Sequence, residues 1–92
     1  MIRSFRHKGL REFFLTGSRR GIQPAQEQRL RLILNHLHTA TRVEDMGFPG
    51  SDLHPLKGDL AGRWAVKVSG NWRIVFRFEE GHSLEVDYVD YH

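Results

Sequence analysis

The most concentrated set of reactive groups inside the chain is Leu53-His54-Pro55-Leu56-Lys57-Gly58-Asp59, which places an imidazole three residues ahead of an ammonium. A histidine exchanges a proton near neutral pH, and a lysine neutralises a phosphate or, when desolvated, acts as a base. Pro55 stiffens the spacing, and Gly58 lets another backbone or a ligand come close. A second set is Asp87-Tyr88-Val89-Asp90-Tyr91-His92. There Tyr91 offers a ring for stacking on a base, Asp90 a carboxylate for proton transfer, and His92 a second imidazole. Both sets also have a plainer reading. His54 could serve only as a hydrogen-bonding group of the fold beside a solvated Lys57, and the tail could be a solvated end.

A third set depends on the elements that carry it. From Arg63 onward the chain has period two. Even positions are apolar: Trp64, Val66, Val68, then Trp72, Ile74, Phe76, Phe78, then Leu84, Val86, Tyr88. Odd positions are mostly polar: Arg63, Lys67, Ser69, Asn71, Arg73, Arg77, Ser83, Glu85 and Asp87, with Ala65, Val75 and Val89 as exceptions. Turns at Ser69-Gly70-Asn71 and Glu79-Glu80-Gly81-His82 would join three strands into an antiparallel meander. One face of that sheet packs on helices, and the other stays open. The open face gathers Arg63, Lys67, Arg73 and Arg77, a surface that attracts backbone phosphates but also one that solubility alone can explain.

Upstream, Met1 to Arg6 reads as a short strand. Leu10, Phe13 and Phe14 form the buried stripe of a first helix that Gly17 stops. Pro24 fits the first turn of a second helix, whose Leu30, Ile33, Leu34 and Leu37 recur at helical spacing. Its other face, with Arg29, Arg31, Asn35, His36 and His38, reads as solvated. Gly47, Phe48, Pro49 and Gly50 break the chain, so Met46 to Ser51 reads as a surface loop. The order of elements is α+β, in one domain over residues 1–92.

Charge is distributed unevenly. Residues 1–42 hold nine Lys/Arg against two acids, and residues 43–92 hold five against nine, giving about +7 and −4. A polyanionic partner fits the basic part. The chain has no cysteine, hence no disulfide, thiolate metal site or thiol nucleophile. No signal-peptide pattern and no apolar run of transmembrane length is evident, so a cytoplasmic protein is expected, with no membrane partner. No nucleophile elbow, phosphate loop or zincin histidine pair competes, and neither metal nor cofactor is expected.

The ordered set Leu53-His54-Pro55-Leu56-Lys57-Gly58-Asp59, Gly62-Arg63-Trp64, Asn71-Trp72-Arg73-Ile74 and Asp90-Tyr91-His92, with the opening Met1-Ile2-Arg3-Ser4-Phe5, resembles the HigB-type toxins of the RelE/ParE superfamily. The resemblance covers essentially the whole chain. It implies a RelE-like fold, in which an N-terminal strand and two helices pack on one face of an antiparallel sheet whose opposite face receives RNA. It further implies a ribosome-dependent endoribonuclease that cleaves mRNA in the A site. The partners would be mRNA, the ribosome and a HigA-type helix-turn-helix antitoxin, through which alone the toxin would meet operator DNA.

Carried over by motif, His54, Lys57, Arg73, Asp90, Tyr91 and His92 would be catalytic, and Arg63, Lys67, Asn71 and Arg77 would bind RNA. The simplest chemistry is metal-free attack of the RNA 2′-hydroxyl on the adjacent phosphate. His54 would lead as general base, with Asp90 or His92 able to exchange roles with it. Two departures stand out. Lys67 occupies a position where relatives often carry Arg, and Asp52 one where a basic residue often precedes Leu-His. The alternative within the superfamily is a ParE-like inhibitor of DNA gyrase with no catalysis.

Overall fold

In the computed structural model, which describes residues 1–91, Leu10 and Phe13 are the buried residues of helix α1 (Lys8–Thr16). Gly17 stops it at φ 81°, a left-handed conformation open to glycine, and its N–H donates to the Phe13 carbonyl at 2.9 Å. At the other end the Leu10 N–H donates to His7 Nδ1 at 2.9 Å, capping the first turn. Pro24 opens a 3-10 turn (Pro24–Gln26) that runs into helix α2 (Glu27–Thr39). The expected stripe Leu30, Ile33, Leu34 and Leu37 is buried.

Four strands follow: β1 (His54–Pro55), β2 (Arg63–Ser69), β3 (Trp72–Glu79) and β4 (His82–Asp90), in that spatial order with every neighbouring pair antiparallel. Both helices cover one face. Their apolar stripes meet Val66, Val68, Ile74, Phe76, Val86 and Tyr88 in the core, with Trp64, Trp72 and Phe78 packed at its edge. This is the α+β architecture expected, with the opposite sheet face left for the odd positions. Among the described residues no helix is long and apolar enough to cross a membrane.

Parity fails in the first half of β4. Ser83 is fully buried and its Oγ donates to the Leu37 carbonyl at 3.4 Å, whereas Leu84 lies half-buried opposite Arg77. The cause is a register shift between Val75 and Arg77, where β4 carries one extra residue. Glu85 takes a left-handed conformation at φ 51°, and every position before it changes face. A second shift between Lys67 and Ser69 turns Ser69 toward the helices, where its Oγ accepts from Gln26 Nε2 at 2.9 Å.

The expected N-terminal strand is present only as two isolated parallel bridges, Ile2 to Ser83 and Phe5 to Val86. They flank the β4 bulge, which interrupts the ladder. At the gap the freed Glu85 N–H donates to Ser4 Oγ at 2.9 Å, so the bulge is capped rather than left unpaired. The segment expected as a surface loop is also anchored, since Met46 and Ser51 at its ends are buried. Strand β1, two residues long, was not anticipated.

Candidate active site

His54 belongs to β1, where it stands opposite Ala65 of β2. Ala65 in turn faces Val75 of β3, and Val75 faces Asp87 of β4. These four residues form one row across the open face. At roughly 4.8 Å per strand, His54 and Asp87 stand about 14 Å apart at its two ends. Ala65 and Val75 between them are almost wholly covered, so the longer side chains around them must lie across the centre of the face.

The orientation of His54 is set by its own loop. His54 Nδ1 lies 2.8 Å from the Asp52 carbonyl, an oxygen that can only accept, so Nδ1 carries the hydrogen. In the neutral ring the lone pair is therefore on Nε2, the form a general base requires. Asp52 holds its carbonyl there from a left-handed conformation, φ 50°. Its backbone thus supports the imidazole, a role the sequence reading had not given it. Lys57 is exposed beyond Pro55 and Leu56, near the Arg63 end of β2, because the Leu56 N–H donates to the Arg63 carbonyl at 2.9 Å.

The four cations of the open face fall into two pairs. Arg63 Nη2 donates to Glu85 Oε1 at 3.2 Å and Arg77 Nη1 to Glu85 Oε2 at 3.4 Å, while Arg77 Nη2 also meets Glu79 Oε2 at 2.8 Å. The hydrogen bond from Arg63 holds the Glu85 carboxyl below its ordinary range against a smaller desolvation, and the Arg63 and Arg77 charges add to it. Lys67 and Arg73, opposite one another on β2 and β3, make no ion pair among the described residues. Positive potential on this face is therefore concentrated at the Lys67 and Arg73 end. Arg73 Nη1 donates to the Gly70 carbonyl at 2.7 Å and the Trp72 carbonyl at 3.0 Å, and its guanidinium lies 5.8 Å from the centre of the Tyr91 ring.

Tyr91 is held in place, because its N–H donates to the Asn71 carbonyl at 2.8 Å. Asn71 contributes its backbone to this contact, and its exposed side chain stays at the β2–β3 turn. Asp90 stands opposite Trp72, on the same side of β4 as Tyr88 and so away from the face that carries Arg73. Burial pushes the Tyr88 hydroxyl pKa up, and the charge of Asp90 adds to that shift against a hydrogen bond from the Gln23 backbone. His92 lies outside the described residues.

Arg73, Tyr91, Lys67 and the Asn71 backbone are thus brought together, with His54 on the same face at β1. Asp90 and Lys57 are set apart from that group. Two carboxylates of the face, Glu85 and Asp87, were missed as site residues. Their odd positions had placed them there, but only the cations were weighed. Asp87 Oδ1 accepts the Tyr88 N–H at 2.9 Å.

The chain matches, over residues 3–92, the family described as RelE-like toxin of type II toxin-antitoxin system HigB. It is 40% identical over 92 residues, the whole of both chains, to Endoribonuclease HigB of Proteus vulgaris. The chain belongs to the HigB family of RelE-like toxins. The bulged β4 that turns Glu85 toward Arg63 and Arg77 is thus a feature of the toxin's sheet face.

Proposed function

We propose that this endoribonuclease toxin, a single RelE-like domain of 92 residues, acts in the cytoplasm by cutting messenger RNA in the ribosomal A site. The observation that carries the reading is the His54 ring. Its Nδ1–H is held by the Asp52 carbonyl, so Nε2 is the basic nitrogen, on the same sheet face as two cations that have no carboxylate partner among the described residues. In the reaction His54 Nε2 takes the proton of the RNA 2′-hydroxyl as O2′ bonds to the adjacent phosphorus. The P–O5′ bond breaks, leaving a 2′,3′-cyclic phosphate and a 5′-oxygen that must be protonated. Arg73 neutralises the charge that builds on the phosphoryl oxygens, and Lys57, at the Arg63 end of β2, meets another phosphate of the strand. Tyr91 stacks on a nucleobase next to Arg73. Lys67 and Asn71 bind the strand with Arg63 and Arg77, and His92 supplies the second proton transfer, since Asp90 lies on the side of β4 away from Arg73.

The shape of the site supports a dependence on the ribosome. A sheet face with few proton-transfer groups holds substrate loosely, and a substrate positioned by a larger partner gains most of what proximity offers. Neutralisation falls to a HigA-type helix-turn-helix antitoxin, which also carries the pair to operator DNA. The test is primer-extension mapping of messenger on programmed ribosomes, with the same RNA free in solution as control. Cleavage within the A-site codon on ribosomes, and little on free RNA, is the expected result. Equal cutting of both would refute the dependence, and inhibition of gyrase supercoiling without RNA cleavage would overturn the reading.

A further inference from the structure

Arg29 sits on the face of α2 that the sequence marked as solvated, yet it is half-buried. Its Nη2 donates to two backbone carbonyls, Gly50 at 2.9 Å in the loop ahead of β1 and Lys67 at 3.2 Å on β2. Its guanidinium also lies 5.4 Å from the centre of the Phe48 ring, and His36, two turns along the same helix, packs on that ring at 4.4 Å. Phe48 is therefore clamped by two residues of α2. The sheet holds the loop from the other side, since the Lys67 N–H donates to the Ser51 carbonyl at 2.7 Å and Ser51 is buried. Both backbone groups of Lys67 are thus committed to this loop or to the arginine that ties it down.

The next two left-handed residues explain what the tie accomplishes. Gly50 at φ 84° and Asp52 at φ 50° flank Ser51, and a non-glycine residue keeps such a conformation only where its surroundings over-determine it. Asp52 is the residue whose carbonyl receives the His54 Nδ1–H. We propose that Arg29 is a positioning residue for His54: by joining the Gly50 and Lys67 carbonyls it fixes the loop in which the Asp52 carbonyl selects the Nδ1–H tautomer. Loss of the tie lets Asp52 relax to an ordinary backbone conformation, its carbonyl turns away, and both tautomers are populated. The catalytic consequence rests on the reading of His54 as the base, whereas the tautomer itself does not.

Long-range nitrogen-15 correlation of the full-length toxin reads this directly, with the His54 signals assigned by their disappearance in His54→Gln. In the parent, Nδ1 is protonated and Nε2 is not. Arg29→Lys keeps the charge and the apolar stem but cannot lie flat on Phe48 while bridging two carbonyls, so it gives a mixture of His54 tautomers in a protein that melts with the parent. His36, whose Nδ1 donates to the Leu32 carbonyl within α2 at 2.9 Å, keeps its tautomer and serves as the internal control. In ribosome assays kcat falls about tenfold while KM stays near the parent value, because a misaimed base affects the chemical step more than binding. An unmixed His54 ring in Arg29→Lys overturns the proposal. Mixing without any loss of kcat, together with an active His54→Gln, leaves the positioning of the ring intact and removes His54 from the role of base.

Discussion

Replacing Arg73 by Ala separates the charge proposed to meet phosphate from the contacts that hold the sheet face. The side chain is half-exposed, points away from the core side set by Trp72 and Ile74, and touches the fold through two backbone carbonyls and one ring. Both carbonyls lie at or beside the β2–β3 turn, where water replaces the lost donors, so the hydrogen bonds together are worth about 1 kcal/mol. The contact with Tyr91 adds about 0.5 kcal/mol. For a domain of this size the sum lowers Tm by about 6–12 °C. Catalysis suffers more. A donor aimed at charge that develops in the transition state is worth about 3 kcal/mol, which is more than a hundredfold in rate, at about 1.4 kcal/mol per factor of ten. Arg73→Lys restores the charge without the planar fork and recovers part of the loss. The measurements are single-turnover cleavage on programmed ribosomes and a circular-dichroism melt. A folded Arg73→Ala protein that cleaves within about threefold of the parent rate, a difference under 1 kcal/mol, would refute the assignment.

Tyr91→Ala should lose activity by an amount that matches one base stack, about 1–3 kcal/mol, while Tyr91→Phe keeps most of it if stacking dominates and loses as much if the hydroxyl acts. Deleting residues 90–92 should abolish growth arrest and, through loss of the Tyr91 bond to Asn71 and its contact with Arg73, lower Tm by about 6–12 °C in a protein that still folds, as plating and melting assays will show. Glu85 has its carboxyl pKa lowered from 4.5, chiefly by the hydrogen bond from Arg63, so its contribution to stability is fully present above that value and lost as pH falls through the lowered one. The gap in Tm between the parent and Glu85→Gln should therefore be widest near neutral pH and close below 4.5, and a gap that is constant with pH would refute the ion pairs as its source. Ser83→Leu should destabilise by about 1–3 kcal/mol through overpacking, whereas Leu84→Ser should cost less than about 1 kcal/mol. The opposite order in thermal melts would restore the unbroken alternation.

What could be read in advance depended on periods long enough to average over local exceptions. Leu30, Ile33, Leu34 and Leu37 span two turns of α2, and seven even positions of β2 and β3 agree on one face, so both elements and their packing side were legible. Strand β1, at two residues, has no period to read, and without it nothing places His54 beside the sheet face rather than in a loop. The β4 bulge is hidden for a different reason. Glu85 at φ 51° carries none of the glycine or asparagine signal that marks left-handed backbone, and its stability comes from tertiary partners: Ser4 on its N–H, Arg63 and Arg77 on its carboxylate. Parity could put Arg63, Lys67, Arg73 and Arg77 on one face, but it says nothing about which of them meets a carboxylate. Only the register supplies that, and here it divides the four cations into a pair that shares Glu85 and a pair with no ion-pair partner among the described residues. Substitutions of its cations should therefore act in the same direction at both ends but through different partners. Loss of a cation at Lys67 or Arg73 should remove positive field from the proposed RNA-binding face directly, whereas loss of Arg63 or Arg77 should remove it by leaving the charge of Glu85 less compensated, at an added cost in stability.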